Sequence, residues 1–125
     1  MTRVMVLDDN HDMVTTMKML LEDRGVEVVT CTRALAALEA QRAQPVDVLI
    51  TDIFMPDADG LEVIQHFRKQ WPATRIVAMS GGGRKVKGDY LEAARHAGAD
   101  VVLRKPFDPD ELLRAVGVLP VTIPR

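Results

Sequence analysis

Short apolar, β-branched runs recur along the chain, at Val4–Leu7, Val26–Thr30, Val46–Thr51, Arg75–Met79 and Asp100–Leu103. Each is short enough to read as a buried strand. Between them lie longer stretches whose apolar residues recur at helical spacing. Met13, Met17, Leu20 and Leu21 make the first stripe, stopped at Gly25. Ala34, Leu35 and Leu38 sit on the second. Leu61, Ile64 and Phe67 lie on the third, which ends before Trp71-Pro72. Leu91, Ala94 and Ala97 form the fourth, stopped by Gly98. Leu112, Leu113 and Val116 form the last, ended by Gly117 and then Pro120. Glycine and proline at these ends are ordinary helix terminators.

This alternation predicts an α/β fold in which a parallel sheet is covered on both faces. The strands read as continuous apolar runs, as strands buried on both faces do. The expected architecture is a five-stranded parallel sheet, order 2-1-3-4-5, flanked by five helices in the flavodoxin-like manner. A Rossmann order fits less well, because the chain stops after five units and its first strand–helix turn lacks a glycine-rich dinucleotide fingerprint. The folded domain is expected over residues 1–118, with a proline-containing tail over 119–125.

Composition narrows the class. The chain has 125 residues, 47% hydrophobic and 27% charged, which suits one globular domain and excludes wholesale disorder. Net charge is −2 with the basic residues spread out, so no nucleic-acid footprint is present. No apolar run is long enough to span a membrane. The first residues meet Asp8-Asp9 too soon for a signal peptide. Cys31 is the only cysteine, so no internal disulfide can form. These features fit a cytoplasmic protein.

In such a fold, ligands bind at the carboxyl ends of the strands. The residues expected there are Asp8-Asp9 after the first, Asp52 after the third, Ser80 before Gly81-Gly82-Gly83 after the fourth, and Arg104-Lys105-Pro106 after the fifth. Three converging carboxylates repel one another and are costly to bury unpaired. A divalent cation offsets that repulsion, and an all-oxygen donor set points to Mg²⁺. One carboxylate is then left to act as a nucleophile. Lys105 supplies a compact charge for phosphoryl oxygens and Ser80 a donor. The sum is a phosphoryl-transfer site with an aspartate acceptor.

These residues resemble the receiver domain of two-component response regulators over about residues 3–117. The elements are Asp8-Asp9, then Asp52 with Met55-Pro56 and Gly60, then Ser80-Gly81, then Lys105-Pro106-Phe107, each at its strand end. The resemblance implies that Asp52 is the phosphoacceptor. It implies that Asp9 and Asp52 bind Mg²⁺ with their side chains, Phe54 with its backbone carbonyl, and Asp8 largely through water. Ser80 and Lys105 would contact the phosphoryl group, and the Lys105–Pro106 peptide would be cis. The implied donor is a sensor histidine kinase or a histidine phosphotransfer protein. The implied output is a downstream protein bound on the helix 4–strand 5–helix 5 face. No output domain follows in the sequence, so the chain reads as a single-domain receiver or as one cut from a longer protein.

Three features depart from the family pattern. Val102 stands three before Lys105, where receivers often carry an aromatic. Phe54 and Gly82 stand two after Asp52 and Ser80, where polar side chains often steer the hydrolysing water. The segment from Ser80 to the fourth helix is long and holds Gly81, Gly82, Gly83 and Gly88. Asp100 and Glu111 match part of a charge pattern used in some receiver dimers.

Other readings are plainer. Asp8-Asp9-Asn10 could simply cap the first helix, but capping needs no Asp52 beside it. His11, His66 and His96 are expected on helices without a catalytic role. The methionines at 13, 17 and 19 read as core filler, and Asp108-Pro109-Asp110-Glu111 as an acidic helix start. Cys31 has no basic cluster beside it and is not expected to be reactive. The alternative from another class is a phosphatase of the haloacid dehalogenase type, which also uses an aspartate and Mg²⁺. Asp8-Asp9-Asn10 lacks the spacing of that family, which places a second Asp two residues after its nucleophile.

Overall fold

The computed structural model describes residues 2–55, 58–81 and 89–118. The expected tail, 119–125, and the glycine-bearing stretch 82–88 lie outside the described residues. In chain order the elements are β1 (Arg3–Leu7), α1 (His11–Glu22), β2 (Glu27–Cys31), α2 (Ala34–Ala43), β3 (Val48–Asp52), β4 (Phe54–Met55), β5 (Ala58–Asp59), α3 (Gly60–Gln70), β6 (Arg75–Ser80), α4 (Asp89–Ala97), β7 (Val101–Arg104) and α5 (Pro109–Val116).

Among the described residues, five strands make one parallel sheet in the order β2-β1-β3-β6-β7. Counting only the strands of that sheet, this is the expected order 2-1-3-4-5. Alternate strand residues feed opposite faces, as the two-residue period requires. On one face Val4, Val6, Val48, Ile50, Val77 and Met79 pack under α1 and α5. On the other, Met5, Leu7, Leu49, Ile76 and Ala78 pack under α2, α3 and α4.

Local chemistry fixes the helix ends. The Asn10 side chain accepts from the Met13 backbone N–H at 3.1 Å and so caps α1. Asp108 and Glu111 form a reciprocal capping box on α5, with Pro109 in its first turn. Gly117 closes α5 in the left-handed region, at φ 87°.

The structure corrects several details. β2 runs one residue later than the apolar run suggested, so Cys31 belongs to the strand and is buried. β3 begins at Val48 rather than Val46 and carries Asp52 as its last residue. α2 buries Ala34, Ala37 and Gln41, whereas Leu35 is 66% exposed. The small faces of Ala34 and Ala37 let α2 lie close to the sheet, and that turns the larger Leu35 outward. Met17 is core, but Met19 is 65% exposed and is not core filler. The β4–β5 hairpin, pairing Phe54 with Asp59, was not foreseen.

Candidate functional site

Parallel register brings the ends of β1, β3, β6 and β7 together. Leu7 pairs with Thr51, so Asp8 falls beside Asp52. Asp52 pairs with Met79, so Ser80 lies one step beyond it. Ser80 pairs with Arg104, and its carbonyl accepts from the Lys105 backbone N–H at 2.8 Å. The Lys105–Pro106 peptide is cis, as expected.

The carboxylates converge. Asp8, Asp9 and Asp52 each place an oxygen within 4.8 Å of the others. Asp8 is fully buried, Asp52 is 7% exposed and Asp9 is exposed. Asp8 Oδ1 accepts from the Asn10 N–H at 3.1 Å, and Asp52 Oδ1 accepts from the Phe54 N–H at 3.2 Å. Lys105 Nζ sits 2.8 Å from Asp8 Oδ2 and 3.3 Å from Asp52 Oδ2.

The protonation tendencies follow from this packing. Burial pushes the Asp52 carboxyl above its ordinary range, and the Asp8 charge adds to the rise. Lys105 and the Phe54 N–H pull in the opposite direction without cancelling it. For Lys105, burial opposes the charge, but the hydrogen bond to Asp8 and the charges of Asp52 and Asp8 prevail and raise its pKa. One ammonium therefore holds two carboxylates at the floor of the pocket.

The backbone around Asp52 is tightly set. Thr51 Oγ1 donates to the Asp52 carbonyl at 3.0 Å. The Gly60 N–H donates to the Ile53 carbonyl at 2.9 Å. A Cβ on Gly60 would collide with the backbone carbonyls of Asp52 and Ile53. Only glycine lets α3 begin this close to the acid. A threonine inside a strand is commonplace, so nothing in the sequence marks Thr51 out.

The donor set suits Mg²⁺. It is all oxygen, it carries negative charge in excess of Lys105, and its Asp52 is held at a cost that a cation would offset.

The chain matches the model of the response regulator receiver domain over residues 4–117. It belongs to that family. It is 34% identical over 113 residues to the transcriptional regulatory protein KdpE of Mycobacterium tuberculosis, covering 90% of this chain and 48% of that protein. It is 31% identical to the alkaline phosphatase synthesis transcriptional regulatory protein PhoP of Bacillus subtilis, covering 88% of this chain and 45% of that one. The chain thus spans about half the length of these relatives. Among solved structures, a receiver domain protein from Clostridium thermocellum superposes with a TM-score of 0.84 at 28% identity, covering 94% of this chain and 92% of that one. The beryllofluoride-activated NtrC4 receiver domain dimer superposes with a TM-score of 0.86 at 26% identity, over 94% of each chain.

As a receiver of two-component response regulators, the chain is not a haloacid dehalogenase phosphatase, and that alternative falls. Among the described residues, no helix is long and apolar enough to cross a membrane.

The departures from the receiver pattern can be placed. Val102 is half-buried on the sheet face that also carries Ala78. Phe54, whose N–H donates to Asp52 Oδ1, is 42% exposed. Gly82 lies outside the described residues. Asp100 and Glu111 both have partners within the chain: Arg68 holds Asp100 at 2.6 Å, and Glu111 completes the α5 capping box. His11 opens α1 and His96 ends on exposed α4 surface, while half-buried His66 packs against Trp71 at a ring separation of 6.0 Å. None of the three is a member of the acidic cluster.

Proposed function

We propose that Asp52 accepts a phosphoryl group from a phosphohistidine of a sensor histidine kinase or phosphotransfer protein. The observation that carries this is the buried Asp52 carboxylate, raised in pKa, with Lys105 at 3.3 Å and two further acids within 4.8 Å.

An Asp52 oxygen attacks phosphorus and a new P–O bond forms. The P–N bond breaks, and its electron pair returns to the imidazole of the donor. Asp8, Asp9, Asp52 and the Phe54 carbonyl would hold Mg²⁺, which when bound draws charge from the phosphoryl oxygens. Lys105 shifts from its carboxylates toward the new phosphoryl oxygens and neutralises them. The Ser80 hydroxyl, now donating a long 3.4 Å bond to the Gly81 carbonyl, turns to donate to the phosphoryl group.

On this reading the domain is a switch rather than an enzyme with turnover. It assists its own phosphorylation and the later loss of the group. Its output is a changed affinity for a partner protein in the cytoplasm, through the α4–β7–α5 face. The switching unit is residues 1–118.

Incubation with acetyl phosphate and Mg²⁺, followed by mass spectrometry, tests this directly. A labile adduct on Asp52, absent from Asp52→Asn, is the expected result. Full labelling of Asp52→Asn, or rapid turnover of a small phosphate ester, would reject it.

A further inference from the structure

Among the described side chains of α4, two alanines are buried in the core under the sheet. Ala94 is fully buried and Ala97 is 9% exposed. Alanines raise no long ridges to interlock with a neighbouring surface, so these two contacts alone fix the helix axis weakly.

Its C-terminal end is held quite differently. Arg68, near the end of α3, donates from Nε and NH2 to the Gly98 carbonyl, at 3.0 and 2.8 Å. That carbonyl lies immediately past Ala97, the last residue of α4. NH1 donates to the Pro72 and Thr74 carbonyls at 2.8 and 3.1 Å. NH2 also pairs with Asp100 Oδ2 at 2.6 Å, and the same oxygen accepts from the Ile76 N–H at 2.8 Å. One planar fork thus joins the end of α3, the loop before β6, the start of β6 and the end of α4.

Gly98 fits this arrangement twice over. Its φ is +126°, and a Cβ there would lie 2.9 Å from Cβ and Cγ of Arg68. The arginine stem lies against the bare glycine, and its head group caps the helix with a favourable charge.

We propose that Arg68 makes the C-terminal end of α4 a fixed pivot, so that changes at the Ser80–Gly81 edge reach the outer face as a tilt of the N-terminal end of α4. This rests on the reading of Asp52 and Ser80 as the phosphoryl site. The pivot replaces a sliding of the whole helix. It also commits Asp100 to Arg68 and withdraws it from pairing with a second chain.

Amide hydrogen exchange read residue by residue, with and without beryllofluoride and Mg²⁺, tests the pivot. In the parent, beryllofluoride should alter exchange in the first half of α4 and leave the Gly98, Ala99 and Asp100 amides unchanged. Arg68→Lys keeps the charge but not the fork. It should speed exchange at those three amides by about tenfold, the loss expected for one or two charge-assisted hydrogen bonds. It should also spread the beryllofluoride response along the whole helix. Asp100→Asn should do the same more weakly, and it decides the matter if Arg68→Lys does not fold. An equal response at both ends of α4 in the parent overturns the pivot. So does unchanged protection at Gly98–Asp100 in both variants. Beryllofluoride binding is read separately from the Asp52 and Ser80 amide shifts. If those do not move, the reading of Asp52 fails, and the variants' basal exchange still decides whether Arg68 clamps the helix.

Discussion

Lys105 gives its shorter ion pair to Asp8, at 2.8 Å, and this acid is fully buried. Asp52 receives the longer one, at 3.3 Å. The ammonium is anchored on the more buried acid and leans toward the one proposed to react.

Replacing Lys105 with Met should therefore destabilise the domain. Two buried carboxylates lose their only close counter-charge among the described residues. Losing one partner of a fully buried pair costs about 3–5 kcal/mol; with Lys105 17% exposed, roughly 2–3 kcal/mol is expected. Mg²⁺ should raise the Tm of Lys105→Met more than that of the parent, because the cation then meets no competing ammonium. Thermal melts with and without Mg²⁺ check both statements.

Asp52→Asn should raise the Tm at neutral pH without Mg²⁺. The folded Asp52 pKa lies above its usual 3.8, so the folded state holds this proton more tightly than the unfolded chain does. Stability linked to that proton is fully present below the unfolded pKa and is lost as pH rises through the folded one. The variant never bears that cost. Its advantage should be full at pH 7, shrink as pH falls through the raised folded value, and be gone by about pH 4, near the unfolded value. Mg²⁺ should reverse the order by stabilising the parent alone, as ligand linkage requires.

Gly60→Ala should cost at least ~2 kcal/mol, since the new methyl group meets backbone carbonyls that cannot move aside. Denaturant melts should show the loss. Phosphoryl uptake should fall with it, because the displaced carbonyls belong to Asp52 and Ile53.

Phosphorylated Asp52 should lose its group slowly. Hydrolysis needs a water in line with the phosphorus–oxygen bond. Phe54, bonded through its N–H to Asp52 and 42% exposed, carries an apolar ring that offers no group to hold that water. Phe54→Asn should hydrolyse several-fold faster when decay is followed by mass spectrometry. An unchanged rate would show that the ring does not guard the approach.

Trp71 should report poorly on Mg²⁺. It follows α3 at the amino edge of the sheet, against Phe67 at 5.1 Å and His66 at 6.0 Å. The acids lie at the opposite edge. Its fluorescence should be steady across a Mg²⁺ titration, and strong quenching would reveal a long-range coupling.

The strand order and the acidic pocket were legible because buried parallel strands are written as unbroken apolar runs. Whatever follows such a run must sit at the binding edge. Leu35 and Met19 misled for a physical reason: residue type signals burial, but the face of a helix is set by how closely it packs. α2 packs through Ala34 and Ala37 instead. Arg68 was illegible altogether. A basic residue near a helix end reads as a solvated cation, and only the fold brings it Gly98 and Asp100, 30 and 32 positions away.

Asp8 and Lys105 stand 97 positions apart, each just past the end of a strand, β1 and β7. Contacts that distant close late, because the chain entropy they cost grows with the loop between them. A nascent chain that has paired β1 with β3 already holds two acids side by side and has no cation to separate them. The docking of β7 relieves that repulsion while completing the sheet. On the proposed reading of Asp52, competence to take up a phosphoryl group and completion of folding therefore arrive together, and a half-made chain holds no completed pocket.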